Sequence, residues 1–204
     1  MNKIALAFAL IFVAASAASQ TSNNKPAQTR CTLTEATAPS VRGLRLGMSV
    51  EQLLALFPGV TKKKEMKDAI EQAKSATGAE AAYLGFDPAV DGDARQFAGV
   101  DSVSAGIYKA RVVDLSLQYG GATWNNIDQW IARLSETFKL PRAREWVAGP
   151  NEAPNKVLRC DGVLIEAAIQ GGSASMSIRN SVYIAQAEER AKAAEEKRRQ
   201  EIKP

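Results

Sequence analysis

The chain has 204 residues, of which 26 are Lys or Arg and 22 are Asp or Glu, and it contains no histidine. A content of 46% apolar residues excludes global disorder. The absence of histidine excludes Ser-His-Asp and Cys-His catalysis, histidine zinc sites and imidazole acid–base chemistry. The net charge of +4 is small and does not indicate a nucleic-acid partner.

The first residues have the pattern of a secretory signal peptide. Lys3 precedes an unbroken apolar run over residues 4–14, and residues 15–17 form an A-x-A cleavage site. The run is too short to span a bilayer, which needs about 20 residues, and an uncleaved anchor is the alternative. The sequence predicts a signal peptide over residues 1–17 and an exported chain, periplasmic or secreted, with no transmembrane segment after cleavage.

The two cysteines predict a disulfide. Residues 18–30 are polar and are expected to form a flexible linker, so the folded domain is expected to begin at Cys31. An exported chain whose only cysteines are Cys31 and Cys160 is expected to join them. Two free thiols or a reactive pair are the alternatives.

The first half of the domain has strands around two helices. Ser49 is the predicted N-cap of a helix that Pro58 ends, and Gln52 completes a capping box. A charged helix is predicted over residues 62–76, and the paired strands of a hairpin are predicted around a turn at Lys109 and Ala110. The predicted strands cover residues 41–46, 81–86, 102–107 and 113–119.

The second half repeats the order of one apolar helix followed by strands. Apolar side chains from Ile127 to Phe138 recur at helical spacing, and Pro141 ends that helix. The predicted strands cover residues 144–148, 155–160, 163–170 and 173–178. Residues 181–204 are predicted to form a charged, solvated helical tail, for which a partner-binding coiled coil is the alternative.

This element order predicts an α+β fold in which antiparallel sheet packs with helices. The domain is expected to cover residues 31–180. Within it, residues 44–119 and 121–180 are interpreted as two helix-plus-meander repeats, on element order alone.

The segment Leu44–Leu53, closing at Pro58-Gly59, resembles the strand–Gly-Met-Ser/Thr–helix opening of the BamE (SmpA/OmlA) family of bacterial envelope proteins. The same opening occurs in secreted β-lactamase-inhibitor-like proteins, which carry two helix-plus-sheet repeats. The resemblance implies an exported α+β module that binds protein. The chain departs from BamE in lacking a lipid-attachment cysteine, and from the inhibitors in having fewer cysteines. It also looks like uncharacterised secreted bacterial proteins.

Motifs for catalysis, cofactors and metals are missing from the sequence. It has no G-x-G-x-x-G, no Walker A sequence and no G-x-S-x-G, so we expect no catalytic residue and no cofactor. Asp87, Asp91 and Asp93 fail the calcium-loop spacing and are expected in a solvated turn, so no metal site is expected. Asp114 and Glu166 fall at strand positions expected to face solvent.

Three aromatic residues are the candidate binding residues. Trp124 opens the second-half helix just off its apolar face, Trp146 lies beside a Gly-Pro loop, and Tyr108 lies near a hairpin tip. Trp and Tyr are enriched in the parts of interfaces that carry most of the binding energy. The alternative for each is packing against the chain's own helix or sheet.

We therefore expect an exported module without catalytic activity that binds a protein or a cell-envelope component. An exported hydrolase that acts on glycan with carboxylates alone is the alternative, since paired carboxylates are brought together only by the fold. A purely structural envelope protein is a third possibility.

Overall fold

The computed structural model of the chain describes residues 31–76, 81–121, 123–150 and 154–201. The predicted signal peptide and linker lie outside these ranges. The strands are β1 (Ala82–Phe86), β2 (Val100–Tyr108), β3 (Arg111–Tyr119), β4 (Val147–Ala148), β5 (Asn155–Arg159), β6 (Val163–Gln170) and β7 (Ser173–Asn180). The helices are α1 (Val50–Leu56), α2 (Lys64–Ser75), α3 (Pro88–Asp91), α4 (Ile127–Phe138) and α5 (Ser181–Glu201). This architecture confirms the α+β prediction.

All seven strands belong to one antiparallel sheet with the order β1-β2-β3-β7-β6-β5-β4. Strands β1 to β3 form one meander, and β4 to β7 form a second one. The last strands of the two meanders pair with each other, with Leu117 opposite Met176 at the centre. The two parts of the chain therefore share one sheet.

One face of the sheet carries the hydrophobic core. Period-two alternation places Leu115 and Leu117 of β3 on this face, together with Met176 and Ile178 of β7, and all four are fully buried. Helix α2 packs on β1 and β2, and α4 packs on β6. The opposite face, here called the open face, carries mainly short polar side chains at the centre of the sheet. Its serines are Ser102, Ser104, Ser116, Ser175 and Ser177.

Helix α1 begins as the sequence predicts. The Ser49 hydroxyl accepts a hydrogen bond from the Gln52 N–H at 3.3 Å, and the Gln52 side chain accepts one from the Ser49 N–H at 3.0 Å. This reciprocal pair satisfies two backbone donors that a helix start leaves free. Val50 and Leu53 of the same helix are fully buried, as the predicted apolar face requires.

The predicted strand over residues 41–46 is instead a tight turn. Val41 and Leu44 exchange both backbone hydrogen bonds at 2.9 Å, across Arg42 and Gly43, which have positive φ. A two-residue turn with both central residues left-handed reverses the chain at once, so no continuous strand forms. The predicted strand over residues 144–148 is also shorter, because residues 143–145 form a 3-10 turn and only β4 remains extended.

The aspartate-rich segment was expected to be a solvated turn, and this is wrong for one of its residues. Asp91 ends the short helix α3 and is only 2% exposed. Its carboxylate accepts a hydrogen bond from the Asp87 N–H at 2.9 Å and lies 2.6 Å from the Lys63 ammonium. These partners compensate the loss of water around the carboxylate, so Asp91 serves the fold.

The predicted disulfide and the predicted C-terminal helix are both present. Cys31 and Cys160 are joined across 129 residues of sequence. Helix α5 follows β7 directly and is partly buried only as far as Arg190, while residues 191–201 are exposed. Within the described ranges, no helix is both long enough and apolar enough to cross a membrane.

Candidate binding pocket and carboxylate network

A pocket of about 450 Å³ opens on the helix-covered side of the sheet. We call it the aromatic pocket. One wall comes from α4, and the others come from the turn at residues 41–42, the loop at residues 98–99 and the end of β3. Its lining residues are Val41, Arg42, Ala98, Gly99, Tyr119, Gly120, Trp124, Trp130, Arg133, Leu134, Thr137 and Phe138.

The aromatic walls are held by contacts with the sheet. The Trp124 N–H donates to the Gly172 carbonyl at 2.9 Å, which fixes the approach to α4. The Trp130 indole N–H donates to the Ser175 carbonyl at 3.0 Å. The Trp130 ring centroid lies 5.0 Å from that of Trp124 and 4.9 Å from that of Tyr119. Such tilted and edge-on contacts are favourable ring geometries, so the walls are pre-formed.

Two arginines are the only charged residues among those that line the pocket. The Arg42 carbonyl accepts a hydrogen bond from the Gln96 side chain at 2.7 Å, and the Arg42 guanidinium donates to the Ala98 carbonyl at 3.2 Å. Arg133 lies 3.3 Å from Glu136 one turn along α4. Because both partners of that pair are mostly exposed, the pair contributes little and leaves Arg133 available to a ligand.

Tyr119 contributes a hydroxyl that has no hydrogen-bond partner within the described residues, although the oxygen is buried. Burial raises the pKa of Tyr119 to about 12, and the nearby Arg42 guanidinium opposes that rise. The phenol therefore stays neutral and remains a potential hydrogen-bond donor throughout the physiological range.

A second polar cluster lies on the open face, and we call it the carboxylate network. In the strand register Asp114 lies opposite Arg179, and Arg179 lies opposite Leu164, two residues along β6 from Glu166. Arg179 reaches Glu166 diagonally, with 2.7 Å between guanidinium nitrogen and carboxylate oxygen. The network consists of Tyr83, Asp114, Asn155, Glu166 and Arg179.

Both carboxylates of this network are hydrogen-bonded within the chain. The Glu166 carboxylate also accepts from the Asn155 amide at 2.9 Å, and Asp114 accepts from the Tyr83 hydroxyl at 3.1 Å. Burial raises the pKa of Asp114, while the Tyr83 hydrogen bond and the Arg179 charge oppose the rise. The prediction that Asp114 and Glu166 stand as simple solvent-facing residues is therefore incomplete, because the open face uses them in a shared network.

The three candidate aromatic residues lie in three different environments. Trp124 lines the aromatic pocket and is half-buried. Trp146 is only 4% exposed, and its indole N–H donates to the Pro141 carbonyl at 3.1 Å. A side chain so buried packs in the chain's own core.

Tyr108 is engaged by the chain's own C-terminal helix. Its ring centroid lies 5.1 Å from that of Tyr183, and its hydroxyl accepts a hydrogen bond from Arg190 at 3.0 Å. The Arg190 guanidinium also lies 4.8 Å from the Tyr108 ring centroid, within range of a cation–π contact. These contacts hold α5 against the end of the β2–β3 hairpin.

Sequence reasoning missed Arg42, Tyr119 and Arg133 as pocket residues. The sequence did contain a signal for Arg133. It lies three residues after Trp130, and residues at that spacing are neighbours on the surface of a helix. Tyr119 ends the predicted strand over residues 113–119, but its position beside α4 depends on how the two meanders pair. Arg42 had no such signal, because only the tight turn brings it to the pocket.

No family model matches this chain, and no curated protein or solved structure matches it. In the part of the chain that the structure describes, no three acidic or cysteine side chains come together as a possible metal site. The function is therefore inferred from the geometry of the aromatic pocket and of the carboxylate network.

Proposed function

We propose that this chain is an exported, non-catalytic module that binds a protein or a cell-envelope component through the aromatic pocket. The observation that carries the proposal is the pocket itself, where four aromatic side chains surround an unfilled volume, namely Tyr119, Trp124, Trp130 and Phe138. Its size of about 450 Å³ lies in the range of ligand pockets. Trp, Tyr and Arg are also the residue types that most often carry binding energy at interfaces.

Export is supported by the signal-like N-terminus and by the disulfide, since disulfides persist in oxidising compartments. The resemblance to BamE-like and β-lactamase-inhibitor-like modules is also part of the proposal. It is supported by the Gly-Met-Ser opening of α1 and by two meanders in one sheet. Both features fit an exported module that works by binding.

The experiment is a co-purification from the native host with an affinity tag at the C-terminus. Residues 191–201 of α5 are exposed, and α5 contributes no residue to the lining of the pocket. Crosslinking before lysis and mass spectrometry afterwards identify the bound protein. We expect one protein to be recovered reproducibly with the wild-type chain and to be lost with Trp124→Ala.

Tyr83→Ala is the matched control, because Tyr83 is an aromatic residue on the open face and is 59% exposed. We expect this variant to keep the partner. Retention of the partner by Trp124→Ala would contradict binding through the aromatic pocket. Loss of the partner only with Tyr83→Ala would show that the binding surface lies on the open face. Recovery of no partner at all would contradict the proposal.

A carboxylate-dependent hydrolase of glycan is the second candidate, favoured by one observation. Glycoside hydrolysis uses one protonated and one ionised carboxyl group, and the raised pKa of Asp114 beside the ion-paired Glu166 has this asymmetry. Turnover of cell-wall glycan by the purified chain, abolished in both Asp114→Asn and Glu166→Gln, would support the hydrolase. We expect no turnover, because Glu166 is already held by Arg179 and Asn155.

A further inference from the structure

We infer that the aromatic pocket takes an aromatic side chain with a carboxylate beside it, as at the C-terminal residue of a protein chain. The inference rests on the proposed function and specifies the chemistry of the partner. Aromatic walls alone would suit a neutral ring or a cation, since cations also bind over ring faces. The charges at the pocket distinguish between these ligands.

Among the described residues, the charges that line the pocket are Arg42 and Arg133. The carboxylates next to the lining, Glu136 beside Arg133 and Asp101 against Gly120, do not themselves line the pocket. Two positive charges repel a cationic ligand and attract an anionic one. A guanidinium binds a carboxylate with paired, charge-assisted hydrogen bonds, which gives direction as well as attraction. The lining therefore selects a carboxylate next to the apolar group that fills the pocket.

Arg42 is pre-arranged for this role. The chain holds its backbone through Gln96 and its guanidinium through the Ala98 carbonyl, which leaves the other N–H donors free of protein partners within the described residues. A carboxylate accepts two parallel hydrogen bonds from one guanidinium, which matches the free N–H donors of Arg42.

The volume of the pocket favours a C-terminal carboxylate over an acidic side chain of the partner. About 450 Å³ accommodates a short stretch of chain and not a whole helix or strand. A C-terminal residue carries its side chain and its carboxylate on the same Cα atom, so ring and charge lie as close together as a peptide allows. An acidic side chain on a neighbouring residue would place the charge further from the ring.

The test is a titration of the full chain, followed by tryptophan fluorescence on excitation that phenylalanine does not absorb. Trp124 and Trp130 line the pocket and should change their emission on binding, while the buried Trp146 adds a constant background. The probes are N-acetyl-phenylalanine, its neutral amide, N-acetyl-aspartyl-phenylalanine amide and the cation phenethylammonium. We expect N-acetyl-phenylalanine to bind about tenfold more tightly than its amide, from one charge-assisted contact. Added salt should reduce that advantage.

Variants test the assignment of the two arginines. Arg42→Gln removes the charge-assisted contact and should reduce the affinity for N-acetyl-phenylalanine to about that of its amide. Arg133→Gln removes the second positive charge and should reduce that affinity part of the way, while binding of the amide stays unchanged in both variants. Arg95→Gln is the matched control, since Arg95 is exposed in the same region but does not line the pocket. Circular dichroism confirms that each variant is folded, and Arg133, exposed on α4, is the substitution least able to disturb folding.

The outcomes separate this inference from the proposed function. Equal binding of acid and amide, or tighter binding of the cation, overturns the carboxylate assignment. Equal binding of the aspartyl probe overturns the C-terminal source. If no probe binds while a partner is still lost with Trp124→Ala in the co-purification, the inference fails and the proposed function stands.

Discussion

The aromatic pocket and the carboxylate network are built from the same kinds of residue but differ in how those residues are partnered. Each contains arginine, and each contains tyrosine. In the network the Glu166 carboxylate accepts from two donors, and the Tyr83 hydroxyl donates to Asp114. In the pocket the Tyr119 hydroxyl has no partner within the described residues, and the volume beside it is unfilled.

This difference separates groups that serve the fold from groups available to a ligand. A buried polar group that is hydrogen-bonded stabilises the arrangement around it, and one left without a partner costs free energy. Both carboxylates of the network are partnered by side chains of the sheet, although Arg179 Nε has no hydrogen-bond partner within the described residues and a pocket of about 340 Å³ borders the network. The aromatic pocket is larger, and its arginines keep N–H donors that a ligand would satisfy, so it is the better candidate for binding.

Removing the disulfide should have the largest effect on stability. The bridge closes 129 residues of sequence, and in the chain-entropy model such a loop contributes roughly 4–5 kcal/mol. The variant Cys31→Ser/Cys160→Ser should lose about that much free energy of unfolding, measured by urea denaturation. The geometry of the pocket should be disturbed more than that of the network. Val41 and Arg42 of the pocket follow Cys31 closely in sequence, whereas the network lies on paired strands.

Wild-type protein with its disulfide reduced is the control and should behave like the double serine variant. Probe binding at the pocket, measured where the variant is still folded, should be weaker than in the oxidised chain. A loss of less than about 1 kcal/mol, well below the range for native disulfides, would show that the bridge contributes little.

The two carboxylates of the network should respond differently to neutralisation. Glu166→Gln removes the charge that pairs with Arg179, and we expect a loss of about 1–2 kcal/mol in the free energy of unfolding, since the pair is only partly buried. Asp114→Asn should cost little at pH 7. Burial raises the pKa of Asp114 in the folded state, so the stability linked to this group is present at low pH and is lost as pH rises through that pKa.

Urea denaturation of the two variants at pH 7 and at pH 4 measures this contrast. The matched substitutions each replace a carboxylate by its amide, so shape is preserved in both. If Asp114→Asn lost more free energy of unfolding at pH 7 than Glu166→Gln, the roles given to the two residues would be reversed.

Two tyrosines offer a sharper comparison between the regions. Tyr119→Phe removes a buried hydroxyl without a partner and should raise the free energy of unfolding by about 1 kcal/mol. Tyr83→Phe removes a hydroxyl that donates to Asp114 and should slightly lower it. Equal effects of the two substitutions on stability would contradict the distinction between pocket and network.

The last effect appears only at alkaline pH and leaves the stability at neutral pH unchanged. The pKa of Tyr119 is raised to about 12 by burial, above its ordinary value of 10.0. An acid with a raised pKa in the folded state favours folding below its ordinary pKa, and this contribution is lost as pH rises from 10 towards 12. The fall in stability over this range should be shallower in Tyr119→Phe than in the wild type. An unchanged slope would mean that Tyr119 ionises as readily folded as unfolded.

Local sequence signals were reliable where a contact lies within a few residues. The capping box of Ser49 and Gln52, the hairpin turn at Lys109 and Ala110, and the apolar face of α4 all formed as predicted. The turn at Arg42 and Gly43 was missed, because apolar residues on both sides of a tight turn look like one alternating strand. The burial of Trp146 was not evident from the sequence, because it depends on residues that are distant along the chain.

The sequence by itself determined the α+β class, the strand alternation that separates core from open face, and the pairing of Cys31 with Cys160. Each follows from periodicity, capping or cysteine number, which are properties of neighbouring residues or of composition. Only the tertiary structure decided that the two meanders share one sheet and that Arg42, Tyr119 and Trp124 meet at one pocket. These contacts join residues far apart in sequence, and the pairing of β3 with β7 sets their positions.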